Sequence, residues 1–148
     1  MKLPYAIFIL ALALGACTAT ASKPGEADAV DSGNPDLTCQ IASNCVSSRG
    51  ANGMTPLAFS GTAAQGLGIL RATVATFSEA TVVRAEPAAM TVIFTTTLGF
   101  RDQVDFKVDA QGQRIDFRSR SLFGLYDWGK NRSRMQEFTR RFEQKSRS

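Results

Sequence analysis

Five residues near the carboxyl end of the chain have the chemistry of an anion-binding site. Arg118 and Arg120 alternate along a segment with strand character, so their side chains share one face of a sheet. Asn131, Arg132 and Arg134 stand where a helix is predicted to begin. Helix N-termini and guanidinium groups both bind carboxylate or phosphate oxygens. The sequence therefore predicts a candidate anion site at these residues.

The same residues also have a structural interpretation. Arg118 would pair with Asp105 on a neighbouring strand, Arg120 would lie in water, and Asn131 or Asp127 would cap the helix. The helix must also turn its apolar side to the sheet, which draws its own arginines away from the strand charges. An anion site then has to lie at the sheet edge, where Arg120 meets the helix start. This favours Arg120 and the two helix arginines over Arg118.

Histidine is absent from the chain, which removes the commonest general base and a common metal ligand. Two cysteines, Cys39 and Cys45, remain in the candidate domain, and a structural zinc site usually needs four cysteine or histidine ligands. The sequence therefore predicts no metal site and no cofactor.

An enzyme would need a histidine-free carboxylate or serine centre. Asp102 and Asp105 are three residues apart, so on a strand they lie on opposite faces. Asp105 and Asp109 share a face but are about 13 Å apart along a strand, beyond the roughly 6.5–9.5 Å of an inverting glycosidase pair. Ser47 and Ser48 have no histidine to activate them. A hydrolase-type enzyme is therefore the alternative, and a binding or assembly module is the prediction.

The amino end resembles a bacterial lipoprotein signal. Lys2 precedes an apolar run of about a dozen residues, which is shorter than the roughly 18 expected of a spanning helix. The run ends in Leu-Gly-Ala before Cys17, the residue that would be acylated and become the mature N-terminus. The alternative is ordinary cleavage that leaves Cys17 as a free thiol. Thr18 follows Cys17 in place of the aspartate associated with inner-membrane retention, which favours the outer membrane.

Three regions follow from this reading: a signal peptide over 1–16, the lipidated cysteine and a flexible tether over 17–38, and one globular domain over 39–148. The tether is rich in small, polar and acidic residues and cannot bury enough surface to fold. Export to an oxidising compartment leaves Cys39 and Cys45 as an even pair, and we expect a disulfide between them. Two free thiols are the alternative.

The net charge of +4 is concentrated at the carboxyl end. Residues 111–148 carry ten basic and four acidic side chains. A basic region can indicate nucleic acid, but export to the envelope argues against that partner. We expect a protein that is lipid-anchored to the envelope and faces the periplasm. Its partners would be the membrane itself and an anionic lipid, a cell-wall ligand or an envelope protein.

Sequence patterns predict an α+β fold. Thr62 and Gln65 have capping-box spacing, and apolar residues at helical spacing continue the helix over 63–77. Strand patterns cover 81–86, 90–97, 103–109 and 114–121, and a second helix covers 130–145. The order α-β-β-β-β-α predicts a four-stranded antiparallel sheet with both helices on one face. Residues 39–60 are predicted to be irregular or extended.

The last two predicted strands fit one hairpin register. With a turn at 110–113, Asp109 faces Arg114, Lys107 faces Asp116, and Asp105 faces Arg118. The apolar pairs Val108–Ile115 and Phe106–Phe117 then fall on the other face. A slip of one residue would expose this whole apolar set, so the pattern specifies the register.

Five short stretches, in this order, resemble the bacterial domain-of-unknown-function family 1499: NCVSS (44–48), PLAFSG (56–61), FRDQVDF (100–106), FRSRS (117–121) and DWGKNRSR (127–134). The resemblance spans Leu37 to Phe142. It implies an uncharacterised family, often with a lipoprotein signal, and so gives an identity without an activity. Where the family tends to have two adjacent acids before a valine, this chain has Asp102 and Gln103.

Overall fold

The computed structural model describes residues 36–50 and 53–148, which form one antiparallel sheet with two helices. The predicted signal peptide, the lipidation site Cys17 and most of the tether lie outside the described residues. The strands are β1 (Cys45–Ser47), β2 (Leu57–Ala58), β3 (Ala80–Glu86), β4 (Ala89–Thr95), β5 (Arg101–Asp109) and β6 (Arg114–Ser121), and the helices are α1 (Ala63–Val74) and α2 (Lys130–Ser146). A 3-10 turn, Ala42–Asn44, precedes β1.

The sheet order is β1-β6-β5-β4-β3, and β2 also pairs with β6, beside β1. The predicted α+β class and antiparallel sheet are confirmed, but the prediction of four strands is wrong because the sheet has six. The two additional strands span three and two residues within the region predicted to be irregular or extended. Such short strands are held by pairing to β6, and they are too short for the alternating pattern that identifies a strand in sequence.

The β5–β6 hairpin has the predicted register. Asp109 faces Arg114, Asp105 faces Arg118, and Phe106 faces Phe117. One predicted charge pair differs, since Asp116 faces Lys107 across the ladder but forms its ion pairs with two arginines. The alternation of apolar and polar residues therefore determines which side chains enter the core. It does not determine the ion pairs, because a long charged side chain can reach residues other than the one directly opposite.

Helix α1 begins with the predicted capping box. The Thr62 hydroxyl accepts from the Gln65 backbone N–H, and the Gln65 side chain accepts from the Thr62 backbone N–H. The helix ends at Val74, three residues before the predicted end. Gly66 is buried against the ring of Phe59, and a Cβ built on it would lie 2.9 Å from Cε2 of that ring. This glycine allows the helix to approach the segment that follows β2.

Helix α2 lays its predicted apolar stripe on the sheet. Met135, Phe138 and Phe142 are fully buried in a core that also contains the inward residues of β4, β5 and β6. The ring of Phe138 lies 5.0 Å from that of Phe106 and 5.6 Å from that of Phe77, centroid to centroid. Both helices thus cover the same face of the sheet, as predicted. Within the part of the chain described, no helix has the length and apolar character needed to span a bilayer.

Candidate functional site

A cavity of about 190 Å³ lies where β6 ends, beside the turn that precedes β1. Two strand arginines and residues of the loop after β6 contribute to its walls, among them Arg118, Arg120, Ser121, Leu122 and Gly124. The other wall comes from the disulfide-linked segment, including Thr38, Gln40, Ile41, Asn44 and Cys45. The cavity therefore brings the positively charged face of β6 against the amino end of the described domain.

Arg118 is buried, with 3% of its side chain exposed, and is held by a carboxylate. Its Nη2 donates to Oδ2 of Asp105 at 2.7 Å. Oδ1 of Asp105 accepts further hydrogen bonds from Thr91 Oγ1, at 3.1 Å, and from Gln103 Nε2, at 2.7 Å. The charge of Arg118 is thus balanced by a carboxylate that its own neighbours keep in place.

Arg120 is half-buried and has a different electrostatic environment. Its Nη2 donates to Oε1 of Gln103 at 3.1 Å, so its partner is a neutral amide. Among residues 36–50 and 53–148, no carboxylate forms an ion pair with Arg120. The Arg118–Asp105 pair is neutral as a whole, and the charge of Arg120 therefore makes this part of the cavity wall positive.

Both arginines retain a buried hydrogen-bond donor without a partner. The Nε–H groups of Arg118 and Arg120 are inaccessible to solvent and donate to no hydrogen-bond acceptor in the structure. Leaving a buried donor unpaired costs about 1–3 kcal/mol, and more for a charged group. Buried polar atoms of proteins are paired in the large majority of cases. Because both Nε atoms are closed off from solvent, an anion in the cavity would meet other atoms of these two arginines.

The opposite wall of the cavity is held by a disulfide and by hydrogen bonds to the loop after β6. Cys39 and Cys45 form the predicted disulfide, with their Cα atoms 5.7 Å apart. Asn44 Nδ2 donates to the Gly124 carbonyl at 2.6 Å, and the Asp127 backbone N–H donates to the Ser43 carbonyl at 3.2 Å. These contacts fix the two sides of the cavity relative to each other.

The predicted helix residues lie on the other side of the sheet from Arg118 and Arg120. Arg134 is buried against the helix-covered face, where it pairs with Asp102 and lies over the Phe94 ring at 4.9 Å. Arg132 is exposed on α2. The structure therefore brings Arg118 together with Arg120 and does not bring Arg132 or Arg134 to them.

Asn131 is fully buried and joins several polar groups beneath the start of α2. Its Oδ1 accepts from Ser119 Oγ at 2.6 Å, and its Nδ2 donates to the Asn44 carbonyl at 3.0 Å and to Ser121 Oγ at 3.1 Å. Asp127 caps the helix by accepting from the backbone N–H groups of Gly129 and Asn131, each at 2.9 Å. Asn131 therefore supports the cavity wall from behind and does not line the cavity.

The candidate catalytic residues have structural partners. Ser47 Oγ donates to the Leu37 carbonyl at 2.5 Å and accepts from the Arg49 backbone N–H at 2.9 Å. Ser48 Oγ donates to Asp116 at 3.1 Å. The hydrogen bond from Arg49 to Asp116 raises the pKa of the arginine above its ordinary value. Among the residues described, no cluster of three or more histidine, cysteine, aspartate or glutamate side chains is suited to a metal ion.

Gln103 is a site residue that the sequence analysis did not identify. It lies opposite Arg120 in the β5–β6 ladder, accepts from that arginine and donates to Asp105. Extending the predicted hairpin register by two further residues from Asp105 and Arg118 would have found this pairing. Because Gln103 carries an amide and not a carboxylate, it leaves Arg120 with a neutral partner.

The family model described as "Protein of unknown function (DUF1499)" matches residues 37–142. Comparison of the chain with curated proteins and with solved structures gives no match. The matched range includes α1, all six strands, α2 as far as Phe142 and both walls of the cavity.

Proposed function

The chain belongs to the DUF1499 family, and we propose that it is a lipid-anchored binding protein of the bacterial cell envelope whose cavity at Arg118 and Arg120 receives an anionic group. The observation that carries the proposal is a cavity lined by Arg118 and Arg120, in which Arg120 has no carboxylate partner among the residues described. Arg120 supplies the net positive charge there, since its partner in the structure is the amide of Gln103.

The size of the cavity limits the ligand. A volume of about 190 Å³ is below the roughly 300–1,000 Å³ typical of pockets for drug-sized molecules. The cavity therefore suits a single phosphate or carboxylate group and the atoms next to it. Anionic lipid headgroups and cell-wall fragments both carry such groups, and the remainder of such a molecule would stay outside the cavity.

The test is a titration of the full chain with inorganic phosphate and, separately, with acetate, followed by calorimetry or NMR. Replacing Arg120 with glutamine should weaken binding by about tenfold or more, because a hydrogen bond to a charged group contributes about 1.5–3 kcal/mol. The matched control is Arg132→Gln, which removes the same charge from an exposed position on α2.

Gln103→Glu provides a second variant with nearly unchanged shape. It replaces the amide that accepts from Arg120 with a carboxylate, which would occupy the arginine and repel an anion. We expect this variant to lose phosphate binding. Equal weakening by Arg120→Gln and Arg132→Gln would show a general charge effect and contradict a site in the cavity.

The lipid anchor is part of the same proposal. Each buried methylene contributes about 0.8 kcal/mol, so two or three acyl chains on Cys17 would hold the protein on the membrane almost permanently. Thr18 in place of aspartate supports sorting to the outer membrane, with the domain facing the periplasm. Cys17→Ser should move the protein into the soluble fraction of lysed cells, and persistent sedimentation of this variant with membranes would contradict lipidation.

A further inference from the structure

Large apolar side chains are exposed together at one end of the domain, in the loops that follow β4 and β6. Trp128 is 86% exposed and Phe123 is 78% exposed. The aromatic end, as we call this surface, comprises Leu98, Phe100, Phe123, Leu125, Tyr126 and Trp128.

Two ring pairs and a helix cap position the side chains of the aromatic end. The Phe100 and Phe123 rings bridge the two loops with centroids 6.5 Å apart, and the Tyr126 and Trp128 rings meet at 5.4 Å. The carboxylate of Asp127 holds the second loop by accepting from two backbone N–H groups at the start of α2. The fold thus fixes these loops while their apolar side chains remain in water.

Trp128 has a backbone conformation that a large side chain rarely adopts. Its φ is 51°, in the left-handed region that glycine and asparagine favour. Strained residues of this kind persist where the surrounding structure enforces them, and they concentrate at functional sites. In Trp128 this backbone conformation occurs together with an indole ring that is almost fully exposed.

We propose that the aromatic end inserts into the surface of a bilayer that contains anionic lipid. Tryptophan and tyrosine favour the membrane interface because each combines an apolar ring with a polar tip. Lys130 and Arg132 are exposed at the start of α2, directly after the aromatic loop, and they would face lipid phosphates. The nearby carboxylate of Asp127 is already occupied by backbone donors.

The length of chain between the proposed anchor and the domain allows this orientation, and to that extent the inference rests on the proposed function. The turn before β1 is hydrogen-bonded to the aromatic loop through Asn44 and Gly124. The first described residues lie further along β6, since Ser47, which faces Arg118, donates to the Leu37 carbonyl. Cys17 precedes Asp36 by 19 residues, and a chain of that length can extend about 65 Å. The cavity also shares this loop, because Leu122 and Gly124 form part of its wall.

Trp128 is the only tryptophan of the chain and therefore reports directly on this surface. The experiment places the full, acylated protein in vesicles of phosphatidylethanolamine and phosphatidylglycerol and measures quenching of its fluorescence. We expect brominated acyl chains to quench Trp128 and the membrane to shield it from iodide in the water. Replacing phosphatidylglycerol with phosphatidylcholine should reduce both effects.

Variants separate insertion from anchoring. Phe123→Ser with Leu125→Ser should abolish quenching by brominated lipid, although the acylated protein still floats with the vesicles. Val82→Ser with Val83→Ser is the matched control, because these valines are exposed on the edge strand β3, and it should leave the quenching unchanged. Flotation of the Cys17→Ser variant tests the anchor, and phosphate binding by Arg120→Gln tests the cavity, so each failure can be recognised separately.

Two results would overturn the inference. In the first, iodide in the water quenches the fluorescence of Trp128 in the acylated protein, and brominated acyl chains do not. In the second, Trp128 is shielded from iodide without any quenching by lipid, which would assign the aromatic end to contact between copies of this chain or with another protein.

Discussion

Removal of the Asp102 carboxylate tests how the polar residues beneath α2 hold that helix on the sheet. Asp102 is 5% exposed and Arg134 is 8% exposed, and Nη2 of the arginine donates to the carboxylate. The same guanidinium donates through Nη1 to Asn131 Oδ1 at 3.0 Å. In Asp102→Ala the guanidinium would stay buried without its counterion. Breaking a buried ion pair in this way costs about 3–5 kcal/mol of the free energy of unfolding.

The free energy of unfolding can be measured by urea denaturation, followed by circular dichroism. The matched control is Glu86→Ala, which breaks an ion pair with Arg84 whose side chains are 44% and 42% exposed. Because solvent screens that pair, the control should cost about 1 kcal/mol or less.

A double variant tests the reasoning from the opposite direction. Asp102→Leu with Arg134→Met removes both charges and retains apolar volume against the Phe94 ring. Replacing a buried ion pair with apolar residues is often neutral or stabilising, so the double variant should recover most of the lost stability. The argument is refuted if Asp102→Ala costs no more than Glu86→Ala, or if the double variant is as unstable as the single one.

Three further predictions concern local structure. Gly68→Ala should stabilise the domain by up to about 1 kcal/mol, because its Cβ would meet nothing within 4 Å. Gly66→Ala should destabilise it by about 1–3 kcal/mol, because its Cβ would meet the Phe59 ring. Thermal unfolding of both variants checks this contrast. Reduction of the Cys39–Cys45 disulfide should cost roughly 2–2.5 kcal/mol on the chain-entropy model, and the intact protein should take up no alkyl group at these cysteines without reductant. Hydrogen bonds from Arg140 and Arg141 lower the pKa of Glu137 to about 2. The contribution of Glu137 to stability is therefore present above about pH 4.5 and is lost as the pH falls towards 2. Glu137→Gln should reduce the acid sensitivity of unfolding in that range.

Local sequence patterns determined both helices, four of the six strands and one strand pairing of this fold. The alternation in 103–109 and 114–121 placed Phe106 opposite Phe117 and Asp105 opposite Arg118, as the structure has them. The hairpin register follows from sequence because a shift of one residue would expose the whole apolar face. The capping box at Thr62 was also predictable, since it depends on residues within one helical turn.

The tertiary structure decided which charged groups meet. The candidate anion site required Arg134 beside Arg120, but the packing of α2 turns it to Asp102 on the helix-covered face. Arg120 was expected in water or in an anion site with the helix arginines, and instead it lines a cavity with Arg118. A long arginine side chain can reach groups on several elements, so its partner depends on where those elements pack.

The cavity itself also depends on contacts that no local pattern contains. Its walls meet because Asn44 donates to Gly124, a residue 80 positions later in the chain, and because β1 pairs with β6 over only three residues. The residue types alone indicated that this basic region could bind an anion. The packing of the segment before β1 against β6 decided where the cavity lies, and it placed Arg118 and Arg120 in one wall.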